Sequence, residues 1–202
     1  MCSACCIYAK EIFNTDMKTT YEIEVAGVKR TLRLYSVNEN LKIAAFILFG
    51  DVELAVAGAR ELLKKAPEFD ILVTAEAKSI PLIFEMARQS GNNDYIVARK
   101  SPKVYMENLL KVSVNSITTK NEQSLCIGDI EISKMKGKRC LIVDDVISTG
   151  ESLEALEKLV REAGGNIIGK MAVLAEGDAI NRKDITVLGK LPLFDKNGEP
   201  ID

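Results

Sequence analysis

Apolar and polar positions fall into blocks of two periods. Residues 21–25 and 28–35 alternate on either side of Gly27, which predicts a hairpin. Asp70-Ile-Leu-Val-Thr-Ala75, Tyr95-Ile-Val-Ala98 and Leu141-Ile-Val143 are short apolar runs that predict interior parallel strands. Helical spacing appears over residues 52–65, with Asp51 as the cap and Pro67 beyond the end, and over 80–89, with Pro81 in the first turn and Gly91 after it. From Ser152 onward Leu153, Leu156, Leu159 and Val160 recur at the same spacing. A short apolar helix is expected from Asn38 or Asn40 to near Gly50. Residues 101–110 are polar, basic and without period, hence a loop; 111–119 and 124–132 predict a hairpin pair around Asn121-Glu122. Strands over 166–175 and 185–188 complete the set.

Strands that alternate with helices predict an α/β, doubly wound, mostly parallel sheet. Ligands of such sheets bind beyond the carboxyl ends of the strands. Three strand ends carry chemistry: residues 74–78, 99–103 and 144–152. In the last, an apolar run ends in Asp144-Asp145, and Ser148-Thr-Gly-Glu-Ser152 leads into a helix. Free N–H groups and the positive end of the dipole at that helix start suit a phosphate, with hydroxyls from Ser148, Thr149 and Ser152 as further donors. Gly150 lets backbone approach the ligand. The adjacent acids suggest a ligand that also offers hydroxyls, or a Mg²⁺ between anions, as a sugar phosphate does.

Composition narrows the chemistry. The 202 residues bound one domain with a small appendage, and a hydrophobic fraction of 47% supports a real core. A net charge of −2 gives no basic footprint for nucleic acid. No apolar run approaches membrane-spanning length and the N-terminus lacks a secretory pattern, so a cytoplasmic protein is expected. The absence of histidine excludes His-based acid–base chemistry and triads. Zinc at Cys2, Cys5 and Cys6 would need help from the distant Cys126 and Cys140; reduced terminal thiols are the simpler reading, and the role of the three stays open.

The stretch Cys140-Leu-Ile-Val-Asp-Asp-Val-Ile-Ser-Thr-Gly-Glu-Ser152 resembles the phosphoribosyl pyrophosphate (PRPP) signature of type I phosphoribosyltransferases. Val73-Thr-Ala-Glu-Ala-Lys-Ser-Ile-Pro81 is similar to the pyrophosphate loop of the adenine and xanthine enzymes, and Ala98-Arg-Lys with residues 108–120 to the xanthine-type flap. The resemblance covers roughly residues 70–195 and implies a purine salvage enzyme that moves ribose 5-phosphate from PRPP to a base and releases pyrophosphate. It implies an N-terminal extension (1–20), a hood that finishes the base pocket (21–50), a catalytic core (51–195) with a flexible flap hairpin, and a tail (196–202).

In that scheme residues Ser148, Thr149, Gly150, Glu151 and Ser152 hold the 5-phosphate, while Asp144 and Asp145 serve the ribose and the cationic transition state. Glu76, Ala77, Lys78, Ser79, Arg99 and Lys100 take the pyrophosphate, and Lys103 and Tyr105 act from the flap. Mg²⁺ is expected through the substrate near Asp144 and Asp145, and a homodimer is expected. Enzymes for hypoxanthine and guanine carry an Asp where Ser148 stands, which argues against 6-oxopurines that need that carboxylate. Adenine is favoured and xanthine comes second. A non-catalytic PRPP sensor is the remaining alternative, and the acidic chain lacks the basic helix that such a repressor needs.

Overall fold

The computed structural model describes residues 17–114 and 123–201. At its centre is a five-stranded parallel sheet of β4 (Ile71–Ala75), β5 (Tyr95–Ala98), β8 (Arg139–Ile147), β9 (Asn166–Glu176) and β10 (Thr186–Leu191), in the order β10-β9-β8-β4-β5. All four pairings are parallel. Alternation along the strands sends side chains to opposite faces. Leu72, Leu141, Val143 and Val173 pack with Leu54, Leu62, Leu82 and Met86 of helices α1 (Val52–Leu63) and α2 (Ile80–Ser90). On the other face Val73, Ile142 and Ala172 meet Leu153, Leu156 and Leu159 of α4 (Glu151–Glu162). The doubly wound architecture is thus as the periods predict.

Helix starts and stops follow the capping residues. The Asp51 carboxylate accepts the Leu54 N–H at 3.1 Å, and Gly91, at φ 77°, ends α2 in the left-handed region. Asp51 also pairs with Arg30 at 2.7 and 2.8 Å, which ties the hood to the core.

The region expected as a hood contributes three strands to a second, four-stranded antiparallel sheet, called the hood sheet below: β1 (Thr20–Val25), β2 (Val28–Ser36), β3 (Leu41–Ala44) and β11 (Phe194–Asp195). Two expectations fail here. The helix expected between Asn38 and Gly50 is instead strand β3, which pairs with β2 from Leu34↔Ala44 to Ser36↔Lys42. Its fourth strand comes from the far end of the chain, where Phe194 stacks edge-on against Tyr21 at 5.0 Å.

A third correction concerns the flap. Strands β6 (Leu110–Val114) and β7 (Gln123–Ile127) pair as predicted, but the second strand does not run on to residue 132. Residues Asp129–Met135 form helix α3. The alternation of Asp129-Ile-Glu-Ile132 imitates a strand, yet the Gly128 N–H donates to the Glu131 side chain at 3.0 Å and starts a helix. The expected turn at Asn121-Glu122 lies outside the described residues, as do Cys2, Cys5 and Cys6. Among the described residues no helix is long and apolar enough to cross a membrane.

Candidate active site

Three adjacent strands, β5, β4 and β8, end on one side of the sheet. Three buried side-chain atoms among the described residues lack a hydrogen-bond partner: Thr74 Oγ1, Arg99 Nε and Asp145 Oδ2. Each belongs to one of these strand ends. Buried polar atoms are normally satisfied, so a cluster of orphans marks a place built for something else.

Strand β8 runs through both acids. Asp144 is half-buried and Asp145 is 3 % exposed. Burial, and then the neighbouring Asp145 carboxyl, push Asp144 up to about 7; the Ser79 hydroxyl works against them. The Ser79 hydroxyl donates to Asp144 Oδ1 and lies 3.3 Å from Asp145 Oδ1. The Asp145 N–H in turn donates to Ser79 Oγ at 2.9 Å. Asp145 Oδ2 is left with the Lys78 ammonium 4.0 Å away.

Beyond β8, Gly150 at φ 86° turns the chain into α4. Asp144, Ser148, Thr149, Gly150 and Ser152 line one small cleft of about 50 Å³. The structure therefore brings one acid and four turn residues together; Glu151 opens α4 and does not line that cleft.

The second loop follows β4. Its Glu76–Ala77 peptide bond is cis. Glu76 accepts the Lys100 N–H at 3.1 Å and faces Arg99 Nε at 3.3 Å, an ion pair without hydrogen-bond geometry. Glu76 thus links the ends of β4 and β5. Arg99 is also pinned by its backbone, which exchanges N–H···O bonds of 2.8 Å with Cys126 of β7.

Lys103 and Tyr105 stand apart, on the irregular stretch before β6. The Lys103 ammonium donates to Ser101 Oγ at 3.1 Å. Tyr105 is 70 % exposed and lines a separate cleft with Arg99, Glu131 and Lys134.

The sequence missed two members of this site. Thr74 falls within the strand end of residues 74–78 that carries chemistry, but no role is assigned to it there and nothing marks its hydroxyl. Arg182 comes from after β9: a β-carbon on Gly150 would lie 2.7 Å from its Nη1. Its Nε and Nη2 pair with Asp184 at 2.9 and 2.7 Å, which holds the Asp184 carboxyl far below the usual carboxylate range and the guanidinium above its own. A cation therefore sits against the turn.

A model of the phosphoribosyl transferase domain matches residues 51–196. A hypoxanthine/guanine phosphoribosyltransferase of Methanococcus voltae is 33% identical over 140 residues, 69% of this chain and 71% of the relative. A xanthine phosphoribosyltransferase of Bacillus licheniformis is 29% identical over 157 residues, 75% of this chain and 79% of the relative. The crystal structure of adenine phosphoribosyltransferase from Thermoanaerobacter pseudethanolicus superposes with a TM-score of 0.60 at 21% identity, covering 85% of this chain and 95% of that one.

Proposed function

The chain belongs to the phosphoribosyl transferase family and is a purine-type phosphoribosyltransferase, and we propose from this that it joins adenine to the ribose 5-phosphate of PRPP, releasing pyrophosphate. The observation that carries the reading is the set of orphaned polar atoms at three neighbouring strand ends, Thr74, Arg99 and Asp145, beside the turn of residues 148–152.

Each part of that arrangement suits one part of the substrate. Backbone N–H groups of the turn, the hydroxyls of Ser148, Thr149 and Ser152, and Gly150 suit the 5-phosphate. Glu151 follows in the first turn of α4. Asp144 and Asp145 suit the ribose hydroxyls, and their charge favours the positive carbon that develops as the glycosidic bond breaks. Glu76, Ala77, Lys78, Arg99 and Lys100 frame the pyrophosphate, with the Lys78 and Arg99 cations offsetting its growing charge, while Ser79, expected among them, is turned to the acid pair instead. Lys103 and Tyr105 would join them when the stretch before β6 closes, keeping water from the cation. The unpartnered Asp145 Oδ2 fits a substrate that arrives with Mg²⁺, which would offset charge on the leaving group. Catalysis of this kind rests on positioning and electrostatics.

Ser148, in the place of the 6-oxopurine Asp, supports adenine. Xanthine is the second reading, because the xanthine-type relative spans 75% of this chain and the flap segment is of that type. A homodimer working in the cytoplasm belongs to the same proposal. The experiment is to mix the protein with PRPP, Mg²⁺ and adenine, xanthine, hypoxanthine or guanine in turn, and measure pyrophosphate. Adenine should turn over fastest, and Asp144→Asn with Asp145→Asn should remove most of the activity while the fold survives. Turnover with xanthine alone would select the second reading. Binding of PRPP without turnover of any base would replace the enzyme by a sensor.

A further inference from the structure

Ser79 stands at the N-cap of α2, where a serine hydroxyl usually accepts an N–H from the first turn. It makes no such bond. Pro81 removes one of the N–H groups that would ask for it. The side chain is 1% exposed and turned into the acid pair, donating to Asp144 Oδ1 and accepting the Asp145 N–H at 2.9 Å. Those partners lie 65 and 66 residues away in sequence. The hydroxyl is thus diverted from a local, stabilising bond to a distant pair of carboxylates.

The geometry has a consequence for both acids. Each Oδ1 faces Ser79, while Asp145 Oδ2 is buried without a hydrogen-bond partner. The same serine closes the loop that carries Glu76 and Lys78. Both carboxylates are therefore oriented from the loop on the pyrophosphate side of the proposed site.

We propose that Ser79 is a positioning residue of the transfer reaction: its hydroxyl holds Asp144 and Asp145 turned so that their remaining oxygens meet the ribose hydroxyls, and it makes that orientation depend on the pyrophosphate loop. The inference rests on the reading of the site as a PRPP site. It assigns to the serine an indirect part, through the carboxylates, and leaves contact with the leaving group to its neighbours.

The test reads ribose-hydroxyl recognition separately from stability. Binding of ribose 5-phosphate and of 2-deoxyribose 5-phosphate is measured by calorimetry for the wild type, Ser79→Ala, Ser79→Cys and Ser79→Thr, with melting temperatures alongside. The wild type should prefer the ribose compound. Ser79→Ala should weaken ribose 5-phosphate about tenfold, the scale of a lost hydrogen bond to a charged group, and weaken the deoxy compound, which keeps only the 3-hydroxyl, clearly less. Ser79→Cys, which fills nearly the same space with a weak donor, should behave likewise if the alanine variant does not fold. Ser79→Thr, which keeps the hydroxyl, should retain the preference. In turnover the alanine variant should raise the KM for PRPP and lower kcat together. Equal weakening of both sugars, or an unchanged preference in the alanine and cysteine variants, overturns the positioning role. A wild type that binds neither sugar phosphate and yields no pyrophosphate from PRPP with any base overturns the reading beneath it.

Discussion

Asp144 carries a carboxyl that titrates near neutrality in a chain with no histidine. Among the described residues it is the carboxyl pushed up toward that range. The carboxylates of Asp51 and Asp184 are held low by Arg30 and Arg182 and stay ionised there, and burial pushes the Cys126 and Cys140 thiols up. The sign follows from linkage. Asp144 is raised from 3.8 to about 7, so the folded state keeps a proton that the unfolded chain gives up. Its stabilising effect is complete only below about 3.8 and is lost progressively as pH rises through about 7. The ligand-free protein should melt about 2–4 °C higher at pH 6 than at pH 8, and Asp144→Asn should flatten that difference. Calorimetric scans at the two pH values decide it.

At this scale the sequence was legible wherever partners are close along the chain. Residues 148–152 sit on one turn, so the grouping of their hydroxyls around Gly150 at one cleft could be read from the chain alone. Thr74, the acid-directed hydroxyl of Ser79 and Arg182 were illegible because each takes its meaning from a strand or turn brought alongside by the fold.

Elements were legible in proportion to how far one period dominates. The buried strands β4, β5 and β8 and the amphipathic helices α1, α2 and α4 have one clear signal each. β3 and α3 do not. Leu41-Lys-Ile-Ala44 is too short to separate a strand from a helical turn, and pairing with β2 and β11 decides it. In α3, Ile130 is 60 % exposed, so the apolar side of the helix is too weak to override an alternating pattern.

The stretch between β5 and β6 is where kinetics test the proposed reaction most directly. Val104 and Tyr105 are fully or largely exposed, so little apolar burial holds this stretch to the sheet. Tryptic cleavage at Lys100 and Lys103 should fade when PRPP and Mg²⁺ are added. Lys103→Ala should lower kcat about tenfold or more with little change in PRPP affinity, because the leaving group gains its full charge only as the bond breaks. Steady-state kinetics with an equilibrium binding measurement separates the two; unchanged kcat would remove Lys103 from the mechanism.

The whole molecule is a parallel core and an antiparallel hood sheet joined through one continuous apolar cluster. Phe194 is fully buried, stacks on Tyr21 and belongs to the same apolar cluster as Leu32 and Leu62. Phe194→Ala should cost about 3–5 kcal/mol in urea unfolding. If the hood opens on its own, a separate early transition should appear before the core melts.

Strand β11 gives the hood a peculiar place in time. Protein synthesis delivers β1, β2 and β3 before the central sheet, yet the strand that completes their sheet follows all five central strands. On the ribosome the central strands and their helices can assemble in order as they emerge. The hood meanwhile waits as three strands with an open edge beside β3, a surface prone to pairing with a neighbouring chain. The hood sheet, started before the central sheet, is therefore finished after it, and its exposure to a molecular chaperone should end only when Phe194 leaves the exit tunnel.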